Sequence, residues 1–270
     1  MLMAGCTTDF EEPTPIVPTP SPNGTIAINI DGNIDQISAT RANEGGFCHG
    51  DAVGIYAVNY VDGVAGTMVN EGNQADNVRF IFNFDEYRWV PDYDIYFLDD
   101  KTAVDIIGYY PFDSNVDNVS EYSFEVQQKQ NTDATNGMIG GYEASDFLWG
   151  KAENIAPTES RIKLTFKHRM AGVQVSLIEG SGWADGEWAQ VEKDVLVTNT
   201  KRNATINLAT GEITATGEVQ STGIIPYENG GEWRAVVVPQ SIASADKAET
   251  DRHHSLHHRC HRLCRLQFRK

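Results

Sequence analysis

The sequence predicts an all-β protein of the β-sandwich class. Apolar and polar residues alternate with a period of two along most of residues 25–245. No segment keeps the 3.6-residue spacing of an amphipathic helix. Glycine and asparagine separate the short apolar runs, as they do in turns between strands. These three observations favour two packed sheets over a helical fold.

Four segments alternate most regularly and are predicted as half-buried strands with one face in a core. In chain order, their inward residues are Ile26, Ile28 and Ile30; Val78, Phe80, Phe82 and Phe84; Tyr122, Phe124 and Val126; and Ile162, Leu164 and Phe166. Further strands are predicted at 53–58, 104–110, 194–197 and 233–238. Residues 204–215, which carry Gly211 near their centre, predict a β-hairpin.

The apolar positions change parity at residues 169–170. Leu164 and Phe166 face inward before this point, whereas Val173 and Val175 continue the apolar face after it. A one-residue bulge would keep both halves facing the same core. We therefore expect a β-bulge at 169–170 within one continuous strand.

The polar interval 150–160 lies between strong strands and predicts a domain boundary near residue 158. An N-terminal β-sandwich is expected at 25–158 and a C-terminal one at 159–245. The second unit is short, so it is expected to be incomplete and to leave an unpaired sheet edge.

The charge of the chain argues against a nucleic-acid partner. The formal net charge is −17, which repels phosphate backbones and anionic membrane surfaces. No apolar run approaches the roughly 20 residues that a membrane-spanning helix needs. No nucleic-acid partner is therefore expected.

The amino-terminal segment, residues 1–24, is interpreted as the remnant of a lipoprotein signal followed by a linker. Leu2, Gly5 and Cys6 resemble the end of a bacterial lipoprotein signal, in which the cysteine becomes the lipidated first residue. Proline recurs through residues 13–22, which predicts an extended spacer. Cys6 is the predicted lipidation site; the alternative is a free cysteine in a tail.

Residues 246–270 form an atypical basic tail. Six basic residues and one acidic residue lie between Asp251 and Lys270, together with five of the seven histidines. His257, His258, Cys260, His261 and Cys264 would suit a zinc site. A frameshift is the preferred interpretation. Read one base forward, a histidine codon becomes an isoleucine or threonine codon when the next codon starts with C, T or A, and a cysteine codon becomes a valine or alanine codon. These residues are typical of strands. No metal site is predicted.

Catalytic chemistry is not expected. Outside the tail the histidines are His49 and His168, and His168 at the end of a strand is interpreted as a hydrogen-bonded core residue. Cys48 precedes His49, but neighbouring residues on an extended strand point to opposite faces and do not form a dyad. No nucleophile elbow, phosphate-binding loop or zinc-protease helix is present. The chain is predicted to be a non-enzyme without a cofactor.

Two groups of residues suggest alternative binding functions. A cluster of acids suggests calcium: Asp92, Asp94, Asp99, Asp100 and Asp105. It encloses apolar residues and lacks the glycine and terminal glutamate of a calcium loop, so a solvated strand flank is preferred. A set of aromatic residues suggests glycan stacking: Trp89, Tyr93, Tyr96, Trp183 and Trp188. Alternation places most aromatics of a sandwich in its core, so glycan binding is the secondary hypothesis.

The order of these segments resembles the fimbrillin (Mfa-like) family, which comprises pilus subunits and related surface adhesins of Gram-negative anaerobes. The resemblance covers roughly residues 1–242, and several motifs occur in the same order. They are residues 2–6, 40–42, 50–56, 108–112, 145–150, 164–171, 207–211 and 234–240. The chain departs from the family at its carboxyl end, where a member would continue with strands.

The resemblance implies two tandem transthyretin-like β-sandwiches, export as an outer-membrane lipoprotein, and assembly into a fimbria at the cell surface. Assembly would proceed by donor-strand exchange, in which a protease removes the first strand and another subunit supplies a replacement. The strand with Ile26, Ile28 and Ile30 would be the removable one, and a trypsin-like protease would cut between Arg41 and Ala42. The implied partners are other fimbrial subunits, host or bacterial surface glycans or proteins, and the membrane through the lipid anchor. The alternative is a surface-anchored glycan-binding lipoprotein that does not polymerise.

Overall fold

A computed structural model describes residues 25–35, 46–135 and 139–241, together with the backbone of 264–269. The strands are β1 (Ile30–Ile34), β2 (Ala52–Val61), β3 (Val64–Ala65), β4 (Ala75–Asn83), β5 (Arg88–Pro91), β6 (Val104–Tyr110), β7 (Tyr122–Glu125), β8 (Leu148–Ile155), β9 (Ile162–His168), β10 (Ala171–Leu177), β11 (Asn203–Asn207), β12 (Glu212–Thr216), β13 (Tyr227–Asn229), β14 (Glu232–Val237) and β15 (Cys264–Arg269). A 3₁₀ turn at Glu143–Ser145 and the helix α1 (Glu187–Gln190) interrupt them. The predicted all-β class is confirmed. None of the helices in the described part of the chain is long and apolar enough to span a bilayer.

Eight strands form the largest sheet, in the order β1-β9-β8-β6-β2-β4-β5, with β3 paired to β2. Its neighbouring strands are antiparallel except at one edge, where β1 runs parallel to β9. The register of that parallel pair extends from Ile30 opposite Ile162 to Ile34 opposite Phe166. The first strand of the chain therefore pairs with a strand that lies far along the sequence.

Two smaller sheets lie beside the large one. One contains β13-β14-β10-β15 and the other contains β12-β11-β7. The backbone of β15 pairs antiparallel with β10, from Leu177 opposite Cys264 to Gly172 opposite Arg269. The expected unpaired edge of the C-terminal unit is therefore occupied at β10 by part of the atypical tail.

Buried side chains form two cores on opposite faces of the large sheet. The first core lies under β1, β4, β5 and β9 and contains Ile55, Ile106 and Leu148; the second, under the smaller sheets, contains Tyr56, Ile107 and Trp149. Alternate residues of β2, β6 and β8 thus enter different cores. All seven residues of β6 are buried, which explains its continuous apolar sequence.

The predicted bulge at residues 169–170 is wrong. Strand β9 ends at His168 in the large sheet, and β10 begins at Ala171 in a different sheet. Phe166 lies in the first core and Val173 lies in the second. The parity change marks the crossing of the chain from one core to the other, because the inward direction reverses when the chain changes layer.

Strand pairing also crosses the boundary predicted near residue 158. Strand β9, which follows this position, pairs with β1 and β8 in the large sheet. Strand β7, which precedes it, pairs with β11 in a small sheet. Residue 158 lies in the loop between β8 and β9 and does not separate the sheets, because both strands belong to the large sheet.

Most of the other predicted strands are present, but β1 includes only Ile30 of the strand predicted around Ile26, Ile28 and Ile30. Residues 194–197 form no strand, although Val197 makes an isolated bridge with Ile224. Phe84 was expected on an inward face but is 59% exposed, because β4 ends one residue earlier. The hairpin is β11 and β12, and Gly211 adopts a positive φ of 70° in its turn.

Polar and aromatic contacts connect the layers around the second core. The side-chain amide of Gln130 is fully buried and pairs with β14: its Nε2 donates to Val236 O (2.7 Å), and its Oε1 accepts from Val236 N (2.7 Å). It thereby extends the sheet ladder as a peptide group would. Trp149 Nε1 donates to Leu208 O (2.6 Å), and its indole lies against Gly211.

Candidate functional site

The candidate site is the groove that holds residues 25–35, hereafter the first-strand segment. Main-chain hydrogen bonds fix this segment on two sides. Written from donor to acceptor, they include Ile28 N to Ile95 O (2.8 Å), Phe97 N to Ile26 O (3.0 Å), Ile162 N to Asn29 O (2.7 Å) and Asp35 N to Phe166 O (2.7 Å). The segment is thus held by β9 along one side and by the residues around Tyr96 near its start.

Alternate side chains of the first-strand segment enter the first core. Ile28 and Ile30 are buried with 3% and 5% exposure. Ile26 and Ile34 are half-buried and pack against the same core. The intervening Asn29, Asp31 and Asn33 are exposed. The predicted inward face of Ile26, Ile28 and Ile30 is confirmed, and the period-two pattern continues to Ile34.

An aromatic cluster forms the far wall of the groove. Trp89 on β5 donates from Nε1 to Gly32 O (3.1 Å). Its ring lies 4.7 Å from Phe47 and 5.2 Å from Phe82, measured between centroids. Phe47 also contacts Phe166 at 5.4 Å. Because β1 and β5 are the two edges of the large sheet, these contacts show that the sheet curls until its edges meet around the first core.

Sequence reasoning missed several residues of this groove. Gly32 and Ile34 were detectable, because the alternation of residues 26–30 continues through them. Trp89 and Phe47 were not detectable from the sequence, because no local pattern predicts which part of the sheet contacts the first-strand segment.

Three predicted site residues lie outside the described part of the chain. They are the lipidation site Cys6 and the cleavage pair Arg41 and Ala42. The described chain ends at Asp35 and resumes at Gly46, and the next residue, Phe47, is buried in the wall of the groove. Lipidation and cleavage therefore stay predictions.

Cys48 and His49 lie beside the groove but show no nucleophile activation. His49 Nδ1 accepts a hydrogen bond from Phe84 N (3.3 Å). Partial burial raises the pKa of the Cys48 thiol, and the nearby carboxylates of Asp51 and Glu143 raise it further. An activated cysteine needs the opposite shift, because the thiolate is the nucleophile.

His168 has the hydrogen-bonded position that the sequence predicted. Its Nδ1 lies 2.8 Å from Asp146 Oδ2, and both side chains are largely buried at the end of β9. The pair lies where the chain passes from the first core towards the second. Its contacts are those of a structural histidine at a strand end.

Three of the acids considered for calcium binding have separate structural partners. Asp92 pairs with Arg79 Nε at 3.0 Å, and the buried Asp105 pairs with Lys151 Nζ at 2.9 Å. Asp99 accepts hydrogen bonds from the backbone of the turn that follows it, which lowers the pKa of its carboxyl group. Within residues 25–35, 46–135 and 139–241, no three acids, histidines or cysteines form a metal-binding group.

The aromatic residues considered for glycan binding are divided between core and surface. Trp89 is buried with 6% exposure, so it belongs to the core rather than to a sugar-binding face. Trp183 and Trp188 are half-exposed near α1, with ring centroids 5.4 Å apart. Lys193 Nζ lies 4.6 Å from the centroid of Trp188 and donates to Trp188 O at 2.9 Å. The tryptophan pair thus has an internal cationic partner that orders its loop.

Comparison with known proteins agrees with this architecture. A curated relative from Bacteroides uniformis, named "Putative fimbrium subunit Fim1C", is 24% identical over 243 residues, which cover 88% of this chain and 72% of the relative. A crystal structure of a "putative cell adhesion protein" from the same species aligns with a TM-score of 0.58 and 18% identity, over 90% of this chain and 78% of the other. A second structure with that description, from Bacteroides ovatus, also aligns with a TM-score of 0.58, at 15% identity over 83% of this chain and 84% of the other. At these identities the two structures show a shared fold.

The sequence model of one family spans most of the chain. This model, described as fimbrillin-like, matches residues 40–252, which include β2 to β14. The chain therefore belongs to the fimbrillin-like family, a family of fimbrial and cell-adhesion proteins.

Proposed function

We propose that this protein is a structural and adhesive subunit of a cell-surface fimbria that polymerises by donor-strand exchange. The observation that carries the proposal is the seating of the first-strand segment. It lies at a sheet edge, bonds through its main chain on two sides, and places alternate isoleucines in a core. A strand held in this way is replaceable by any extended segment with the same pattern.

The groove left after removal of the segment would strongly favour a new strand. The N–H groups of Phe97 and Ile162 would lose their acceptors, which leaves an unpaired strand edge that can template a new strand. The core around Leu164 and Phe166, both fully buried, would face water. An incoming strand from another subunit would restore the main-chain bonds and cover this apolar surface.

Export as a lipoprotein fits the order of these features along the chain. The predicted lipidation site, Cys6, and the proline-rich residues 13–22 both precede the first-strand segment. Cleavage between Arg41 and Ala42 would separate the anchor and the first-strand segment from the folded body in one step. The body would then leave the outer membrane and be retained through its strand-exchange partners.

Cleavage is tested by incubating the full chain with a trypsin-like protease and sequencing the new amino terminus. The expected terminus is Ala42. Arg41→Ala should block its appearance, and Arg88→Ala, at an exposed arginine in β5, should not. An intact bond between Arg41 and Ala42 in the wild-type chain would refute the cleavage site.

Polymerisation is tested on the same digests. Subunits joined through inserted strands should form a ladder on a gel run without boiling and collapse to single subunits after boiling. Digested wild-type protein should form the ladder, and undigested protein should not. A digest with the expected amino terminus that stays monomeric at high protein concentration would refute assembly by strand exchange.

A further inference from the structure

The first-strand segment presents five inward positions, and one of them is a glycine. The inward residues are Ile26, Ile28, Ile30, Gly32 and Ile34. The backbone of Gly32 does not need glycine, because Gly32 lies within β1 without a positive φ and glycine weakens a strand interior. Its presence therefore calls for an explanation in the surrounding space.

Trp89 occupies the space that a side chain at position 32 would need. A Cβ atom placed on Gly32 would lie 2.9 Å from Trp89 Nε1 and 3.1 Å from Phe166 Cε2. The first distance is shorter than real Cβ contacts, and the same indole nitrogen donates to Gly32 O at 3.1 Å. The indole therefore crosses the segment directly over the glycine.

The indole has little room to move away from a larger residue. Trp89 is 6% exposed. Phe47 packs edge-on against it at 4.7 Å, and Phe82 packs at 5.2 Å. Displacing the indole would require repacking of this aromatic cluster and loss of the hydrogen bond from Trp89 to Gly32 O. The packing of the whole cluster therefore limits the size of the side chain at position 32.

We infer that the groove selects the strand it accepts through Trp89, which admits glycine and excludes branched side chains at the fourth inward position. The inference rests on the proposed strand exchange and specifies the partner. That partner is an extended segment of another subunit with apolar residues at three alternate positions, glycine at the fourth and an apolar residue at the fifth. The apolar positions supply affinity, and the glycine supplies specificity by excluding competing apolar strands.

The steric part of the inference is tested first in the full chain, without any exchange. Gly32→Val should lower the urea midpoint of unfolding. Asn33→Val, the same side chain at the next, exposed position, should change it much less. In a Trp89→Leu background, the additional effect of Gly32→Val should shrink or reverse. Equal midpoints for Gly32→Val and Asn33→Val in the wild-type background would overturn the inference.

Selection of a partner strand is tested in trans. A full chain carrying an engineered protease site between Ser38 and Asn43 is cut, unfolded in urea with both pieces present, and refolded with excess labelled peptide. The peptides are residues 25–35 (TIAINIDGNID) and its Gly32→Val and Asn33→Val variants. Retention of label is measured by size-exclusion chromatography.

The expected result is that the wild-type and Asn33→Val peptides are retained and that Gly32→Val is retained about tenfold less or worse. In a Trp89→Leu chain, retention of the Gly32→Val peptide should recover. Equal retention of all three peptides by the wild-type chain would overturn the selection by Trp89 and leave strand exchange standing. Retention of no peptide, including the wild-type sequence, would overturn the proposed function itself.

Discussion

Replacing Ile28 by alanine is expected to loosen the first-strand segment while the rest of the fold stays closed. Ile28 is 3% exposed in the first core. Truncation of a buried isoleucine to alanine costs about 2–5 kcal/mol. Because each 1.4 kcal/mol is about a tenfold change, a cost near 3 kcal/mol raises the population of the opened segment on the order of a hundredfold.

Amide hydrogen exchange measures this opening directly. The amides of Phe97 and Ile162 donate to carbonyls of the segment, whereas the amide of Ile224 donates to Val197 O (2.8 Å) in another part of the molecule. If the segment opens locally, Ile28→Ala should speed exchange at Phe97 and Ile162 on the order of a hundredfold. Exchange at Ile224 should stay at the wild-type rate.

Asn29→Ala is the matched control for this experiment. The Asn29 side chain is exposed, and its amide donates a long hydrogen bond to Ala27 O, at 3.4 Å. A surface change of this kind is expected to stay within about 0.5 kcal/mol. Faster exchange at all three amides in Ile28→Ala would refute the reasoning, because the segment would then open only with the whole fold. Unchanged exchange at Phe97 and Ile162 would refute the burial argument.

Three further predictions concern the remaining structure. Gly211→Ala should lower the free energy of unfolding by about 2–4 kcal/mol, because the new methyl group would clash with the buried Trp149 indole and alanine disfavours a positive φ. Gly217 has the same φ of +70° without a close contact, so Gly217→Ala should cost only about 1 kcal/mol. Equal urea midpoints for the two variants would contradict the clash. Gln130→Leu should lower the free energy of unfolding in urea by about 2–5 kcal/mol, because two buried main-chain groups of β14 lose their hydrogen-bond partner. Gln127→Leu, at an exposed position, should lower it by less than about 0.5 kcal/mol. Similar losses for both variants would show that the amide pairing is unimportant. The rate of Cys48 alkylation, followed by peptide-resolved mass spectrometry, should rise with pH around a higher midpoint in the folded protein than in the urea-unfolded chain, because burial raises the pKa of this thiol. A midpoint at the same or lower pH in the folded protein would contradict the raised pKa.

Part of the candidate site was predictable because strand periodicity is local. Ile28 and Ile30 could be placed on an inward face from alternation alone, since successive side chains of an extended backbone point in opposite directions. The same rule extends to Ile34. Alternation does not name the strand that pairs with the segment, and β9 begins at Ile162, about 130 residues later.

The sequence by itself determined the inward faces of the regularly alternating segments, such as the first-strand segment and β9, because these follow from the geometry of neighbouring residues. Only the tertiary structure decided which core each face enters. The parity change after Phe166 is equally consistent with a bulge and with a change of layer, and the long-range pairing of β9 and β10 selects the change of layer. The contact of Trp89 with Gly32 was likewise decided by the curling of the large sheet, which brings together two edges that no local pattern connects.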